Sequence, residues 1–358
     1  AYDPSTAAEV YGLPLQLTYV SNATDNSKYP GRSSLQATFE QINKDLTEAE
    51  RLVNENKTVN SDTQAKYNYI SQDLVTALRA RVALWTKDYD TAISASTGLI
   101  SSNKYPLIND GEAFRAMWVT DYGTEVIWQI YTAAPDELCS TNGTMFWGQY
   151  KNGDPQVMDF IPSQSLIDLY TDGDKDIRFT SFFAPYHLAL SNGSEADVYV
   201  FDKYPGNPDI YSQTIVDNHY INKPKPFRIA EQYLIAAEAY AAKNDVTNAS
   251  KYLNDLCRTR IAEYTDKSYT NATILTAIQN ERHKELVGEG FQLIDLKRWN
   301  LGIDRANAYQ ESTMVLQPGG VNTTALSKQA GDNRFVWPIP KAEYDANPQL
   351  KGQQNPGY

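Results

Sequence analysis

Three glutamates, Glu281, Glu285 and Glu289, stand at i, i+4 and i+8 in the segment 273–300. Paired carboxylates are the tools of glycoside hydrolysis, and helix residues four apart can meet the roughly 5–10 Å separation that such chemistry needs. Like charges at this spacing also oppose helix formation by a few tenths of a kcal/mol per pair, so cations from elsewhere must answer them. Arg258, Arg260, Arg282 and Arg298 are the nearby candidates. The trio therefore reads as a neutralised internal lattice, not as an acid and a base, and the chain is not expected to be an enzyme. His187, His219 and His283 share no metal-ligand spacing, and His283-Lys284-Glu285 is not a zinc-protease helix. Nucleophile elbow and phosphate loop are both missing. Asp172, Asp174 and Asp176 begin a calcium loop, but Ile177 stands where glycine is required and Phe183 where the bidentate glutamate should be. A turn that caps a helix or pairs with Arg178 is expected there, with bound calcium as the alternative and otherwise no cofactor.

What remains is binding. Sugars present C–H faces that stack on aromatic rings and hydroxyls that suit amides, carboxylates and guanidinium groups. The 25 Tyr and 6 Trp of a chain with mean hydropathy −0.53 supply such rings in a polar setting, although core packing is the ordinary fate of any one of them. The densest candidate is Met145-Phe146-Trp147-Gly148-Gln149-Tyr150-Lys151-Asn152, where Gly143, Gly148 and Gly153 argue for an exposed loop. Displaying Trp147 there without a ligand would be costly, so it is the leading stacking residue, with loop packing as the alternative. Tyr150, Tyr186, Tyr211 and Tyr220 are further candidates, with Asn152, Asn192 and Asn218 as polar partners. The formal net charge of −12 disfavours nucleic acid and, more weakly, acidic polysaccharides.

The elements that must carry these residues are mainly helical. Ser34 can cap a helix to about Asn54, with Leu35, Phe39, Ile42, Leu46, Ala49 and Val53 on one face. A longer helix from about Gln64 to Lys87 and its antiparallel partner from Asp88 to Ile100 follow. This hairpin recurs: aligning Lys87 with Lys243 places Leu78 on Leu234, Ala80 on Ala236 and Ala83 on Ala239, while Ala92 and Ala249 fall one residue out of step. The lengths suit a tetratricopeptide-like unit. Between the hairpins, periodicity fades into Gly- and Pro-punctuated chain with short strand-like runs at 125–131 and 198–201. In the segment 273–300, Gly288 and Gly290 interrupt the helix before Leu293, Ile294, Leu296 and Trp299 resume an apolar face. Cys139 and Cys257 do not make a disulfide framework, and no apolar run approaches the ~18 residues of a membrane span.

Glu281-Arg282, Glu285-Leu286, Glu289-Gly290, Asp295-Leu296 and Arg298-Trp299, followed by Trp337-Pro338-Ile339-Pro340, Glu343, Asn347-Pro348 and the ending Gln354-Asn355-Pro356-Gly357-Tyr358, resemble the two signatures of the SusD-like (RagB/SusD) family of outer-membrane nutrient-binding lipoproteins. Gln292 departs from the arginine more usual in that family. Tyr11-Gly12-Leu13-Pro14-Leu15 and Pro30-Gly31-Arg32-Ser33-Ser34 resemble the stretch ahead of the family's second helical repeat, so the chain is expected to lack the usual N-terminal segment with its lipidated cysteine. Pro162, Leu166, Asp168-Leu169-Tyr170, Asp176, Arg178, Lys203 and Tyr204 match a recurrent scaffold pattern of the family's middle region.

The resemblance implies one SusD-like domain over 1–358: a helical repeat at 34–103, an irregular ligand-binding region at 104–226, a second repeat with the signature helix at 227–300, and a C-terminal segment at 301–358. Tetratricopeptide-like hairpins would pack against a loop-rich middle with short strands. It implies an oligosaccharide or polysaccharide ligand, a TonB-dependent outer-membrane transporter as partner, and a place on the extracellular face of the outer membrane, held only by the N-terminal lipid anchor. Peptide capture is the alternative on the same fold, and glycoside hydrolysis a more distant one.

Overall fold

A computed structural model describes residues 2–21, 29–55, 65–132, 148–151, 154–158, 160–189, 195–210, 222–305 and 327–358. Strands β1 (Tyr11–Pro14) and β2 (Arg32–Ser34) pair antiparallel and lead into helix α1 (Leu35–Glu55). Ser34 caps that helix, its Oγ accepting from the Ala37 amide at 3.0 Å. Phe39, Ile42, Leu46, Ala49 and Val53 then pack on Val75, Leu78 and Val82, the face their spacing predicts.

Helix α2 runs from Gln72 to Thr86, eight residues shorter at its start than the sequence suggests. Ser71 stops it there by accepting from the Leu74 amide at 3.2 Å, and 65–68 form a separate single turn. Helix α3 (Tyr89–Ser101) returns alongside it. Helix α4 (Gly111–Val119) and strand β3 (Val126–Trp128) follow, then the hairpin β4 (Gly148–Lys151) and β5 (Asp154–Met158), short helices α5 (Gln164–Ile167) and α6 (Ile177–Phe182), and the seven-residue hairpin β6 (Phe183–Ala189) and β7 (Glu195–Phe201). Strand β8 (Phe227–Arg228) pairs with β3 and opens the second helical hairpin, α7 (Ile229–Ala242) and α8 (Val246–Arg260).

The turns of the two hairpins explain the single-residue slip between Ala92 and Ala249. In the first, Lys87 itself takes the left-handed conformation (φ 63°) and Asp88 caps α3. In the second, Lys243 stays right-handed, the added Asn244 takes the left-handed position (φ 61°), and Asp245 caps α8. Asparagine tolerates that conformation better than lysine, so the extra residue moves the strain to the side chain suited to it. Ala80, Ala83, Ala92 and Ala95 meet Ile235 and Ala239, and these small side chains let α2, α3 and α7 approach closely. Ala237, Ala249, Leu253 and Leu256 continue the packing to α8.

A second core is aromatic. Phe114 and Trp118 of α4 lie against Phe182 at 5.7 and 5.6 Å between ring centres, and Phe179, Phe183 and Phe201 extend the cluster under the β6–β7 hairpin.

Helix α9 (Ile274–Glu285) and helix α10 (Gln292–Trp299) are separated by Gly288 and Gly290, both left-handed. The apolar face expected of α10 is not its inner one. Asp295 is only 1% exposed, whereas Leu293 and Ile294 are 44% and 40% exposed. Asp295 accepts from Arg282 Nε and Arg298 Nε at 2.7 Å each, so a satisfied charge fixes the helix's rotation in place of an apolar stripe. Strands β9 (Ile303–Asp304) and β10 (Ser327–Lys328) and helix α11 (Lys341–Ala346) complete the described chain. Arg32 ties its two ends together: its guanidinium donates to the Gly12 and Gln353 carbonyls and to Asn355 Oδ1 at 2.8–2.9 Å. The Pro30–Ser34 segment and the Gln354–Tyr358 ending are thus two halves of one contact.

Candidate functional site

The glutamate trio lies inside the protein. Glu285 is fully buried, with Arg228 Nη1 at 2.9 Å and Arg260 Nη2 at 3.1 Å on one oxygen, and Arg260 Nε at 3.0 Å and Arg178 Nη1 at 3.2 Å on the other. Glu281 takes Arg178 Nη1 at 2.5 Å and Lys284 at 3.2 Å. Glu289 takes Arg228 Nη2 at 2.6 Å and Lys203 Nζ at 2.7 Å. Glu125 joins through Arg260 at 2.8 Å, and Asp176 through Arg178 at 2.7 Å.

Five carboxylates (Glu125, Asp176, Glu281, Glu285, Glu289) thereby face five cations (Arg178, Lys203, Arg228, Arg260, Lys284), and the lattice is neutral. Burial alone would raise the Glu285 carboxyl, but Arg260, Arg228 and Arg178 hold it well below the usual carboxylate range. A general acid needs the opposite shift and a path for substrate, whereas this trio has the arrangement of an internal ion-pair lattice.

The source of the cations differs from the sequence expectation. Of the four nearby arginines, Arg260 alone reaches the trio. Arg282 and Arg298 serve Asp295, and Arg258 pairs with Asp255 and Asp266 near the surface. Arg178, Lys203 and Arg228 come from the middle region and from the start of α7, and their role is invisible to local spacing. Asp295 has two guanidinium partners without help from position 292, so glutamine there leaves no charge unanswered.

Asp176 accepts from the Arg178 backbone at 3.0 Å as well as from its side chain, so the third aspartate of the calcium-like loop is spent on that arginine. The described histidines stand apart. His187 bridges Asp197 at 2.7 Å and Glu195 at 3.1 Å across the exposed β6–β7 hairpin, bonds that raise its pKa. His283 is pushed down to about 4 by burial.

Trp147, Asn152, Tyr211 and Tyr220, with Asn192, Asn218 and His219, lie outside the described residues. Tyr150 is in β4, opposite Pro155. Tyr186 is in β6 opposite Val198, half-buried with Ala184 against Ala196, Val198 and Val200. The structure does describe the stems from which the aromatic segments leave. The Ile130 amide donates to the Pro224 carbonyl at 2.9 Å, so the chain entering 133–147 and the chain leaving 211–221 run side by side. Asp121 fixes that edge: its buried carboxylate accepts from Asn207 at 2.8 Å, Lys225 at 2.6 Å and Asn222 at 3.2 Å. Sequence reasoning missed Asp121. Its only local signal is an Asp-Tyr-Gly turn, which many exposed turns share.

The SusD family profile matches residues 189–358, the stretch that holds Lys203, Arg228, Arg260 and the three glutamates. SusD-like protein P25 of Formosa agariphila is 36% identical over 264 residues, 63% of this chain and 49% of that protein. A SusD superfamily protein of Bacteroides thetaiotaomicron superposes over 98% of this chain and 72% of its own with TM-score 0.71 and 26% identity. A SusD-like carbohydrate binding protein of Bacteroides vulgatus does so over 98% and 72% with TM-score 0.74 and 23% identity. The chain is SusD-like in sequence over 189–358 and in fold over nearly its whole length. In this SusD-like protein the signature carboxylates are therefore framework, and the expected mainly helical fold with a strand-punctuated middle is the one observed. Among the described residues, no helix is long and apolar enough to cross a membrane.

Proposed function

We propose that this SusD-like protein binds oligosaccharides at the cell surface and hands them to a TonB-dependent outer-membrane transporter, with residues 1–358 acting as one domain. The observation that carries the proposal is the division of labour in the chain. The signature carboxylates, whose spacing suggests bond-breaking chemistry, are consumed by buried cations in the interior, and the aromatic-rich segments around 147, 211 and 220 depart from stems braced by Asp121 and by the β3–β8 pair. Trp147, Tyr150, Tyr186, Tyr211 and Tyr220 would stack on sugar faces, and Asn152 would bond hydroxyls. Each ring would contribute modestly, so longer oligosaccharides should be held better than monosaccharides. The fold shared with a carbohydrate-binding protein of Bacteroides vulgatus supports the same ligand class.

Affinity electrophoresis through a panel of neutral polysaccharide gels tests the proposal. Retardation on at least one gel, lost in Trp147→Ala, is expected, with no reducing ends released from the polysaccharide. Absence of retardation on every gel, together with binding to a peptide library, would replace the sugar with a peptide.

A further inference from the structure

Away from the loops, the ends of the two hairpins enclose a cleft of about 310 Å³, bounded by the last turns of α2 and α7, the start of α3, and helices α9 and α10. That volume falls at the lower end of small-molecule sites, which run to roughly 300–1,000 Å³. Tyr2, Trp85, Tyr89 and Trp299 give it four aromatic lining residues. Its buried charges are paired. Glu238 accepts from Arg298 and, at 2.9 Å, from the Trp299 indole nitrogen, and Arg298 stacks on the Trp299 ring at 4.4 Å. Besides the exposed Lys87, the available groups are neutral: the Tyr89 hydroxyl and the amides of Asn271 and Gln279 have no hydrogen-bond partner among the described residues. The buried Trp85 indole nitrogen has none either.

We infer that this cleft is a second ligand site that takes one neutral sugar residue. An aromatic-walled space whose unspent groups are amides and a hydroxyl suits a molecule with C–H faces and several hydroxyls. Glu238 and Arg298 neutralise each other, and the remaining charged lining residue, Lys87, is exposed to solvent. The site stands on its own residues and does not depend on the loop aromatics: the cleft is built from helix ends, far along the chain from 147–220.

Saturation-transfer NMR with methyl glucoside, methyl galactoside, methyl mannoside and N-acetylglucosamine, each added alone, tests it on the intact chain. At least one of the four should receive saturation, with half-saturation in the millimolar range. Gln279→Ala should weaken that binding about fivefold, as expected for one lost neutral hydrogen bond. Leu275→Trp, which adds an indole at a 42% exposed cleft position, should abolish it. Three results would each overturn the inference: no transfer to any of the four sugars, transfer unchanged in both variants, or transfer lost in Trp147→Ala and kept in Leu275→Trp. The last would leave the loop site standing and remove the cleft.

Discussion

Two of the buried charge centres in this protein are built differently. Among the described residues, every cation on the Glu285 carboxylate is an arginine, whereas on the Asp121 carboxylate the work is shared by one lysine and two asparagines. Guanidinium groups remain charged at any accessible pH and bond carboxylates from several directions, so the Glu285 centre joins α6, α7, α8 and α9 permanently. The Asp121 centre fixes a single loop edge, and its Lys225 is pushed downward by burial with only Asp121 and the more distant Glu289 opposing the shift. Lys203 stands at the Glu289 end of the lattice, and burial brings it to about 8. The comparison teaches that the Glu285 carboxylate is locked by arginines, while Glu289 and Asp121 are held in part by lysines whose pKa burial lowers.

Glu285→Ala should break this picture most severely. It leaves three buried arginines facing a void, and loss of one partner of a buried pair costs about 3–5 kcal/mol, so denaturant unfolding should show a collapse of global stability or no folded protein. Asp121→Ala should cost about 3 kcal/mol by stranding the buried Lys225, with the excess hydrogen exchange appearing first at 120–132 and 205–225. The titration of Lys203 sharpens the contrast. Between the folded value of about 8 and the ordinary lysine value near 10.5, the unfolded chain holds a proton that the folded one has released, so stability should rise with pH. Tyrosines such as Tyr170 and Tyr204, whose pKa is raised by burial, act in the opposite direction, so the Lys203 contribution is read as a difference: between pH 8 and pH 10 the unmutated chain should gain about 2 kcal/mol relative to Lys203→Met in chemical denaturation. Arg32→Ala should cost about 1–2 kcal/mol, since its charge-assisted bonds are partly exposed, and should loosen 350–358 in hydrogen exchange. Ser71→Ala, which removes only a helix cap, should lower stability by about 1 kcal/mol in the same assay.

Helix faces and caps were legible wherever local spacing decided them. Ser34, Asp88 and the Phe39–Val53 stripe needed nothing beyond a window of one helix. The start of α2 was misplaced because apolar periodicity continues through Ile70, and only the competition between Ser71 and the backbone ends the helix. The apolar face of α10 was legible only in part: Leu296 and Trp299 are half-buried, whereas Leu293 and Ile294 are exposed because two arginines hold Asp295 inside. That the glutamate trio is buried could be argued from its like-charge spacing. Its partners Arg178 and Arg228 could not, because they lie 103 and 57 residues away from the carboxylates they meet. Ligand rings are the least legible of all: a loop tryptophan and a core tryptophan differ in their surroundings and not in their own chemistry.

Hydrogen exchange measured with and without an oligosaccharide cut from a retained polysaccharide tests the central claim most directly. Protection strongest in peptides covering 133–158 and 211–221, with none centred on 281–289, is the result expected of ligand held by the middle segments over an inert charged lattice. Protection centred on 281–289 would contradict it.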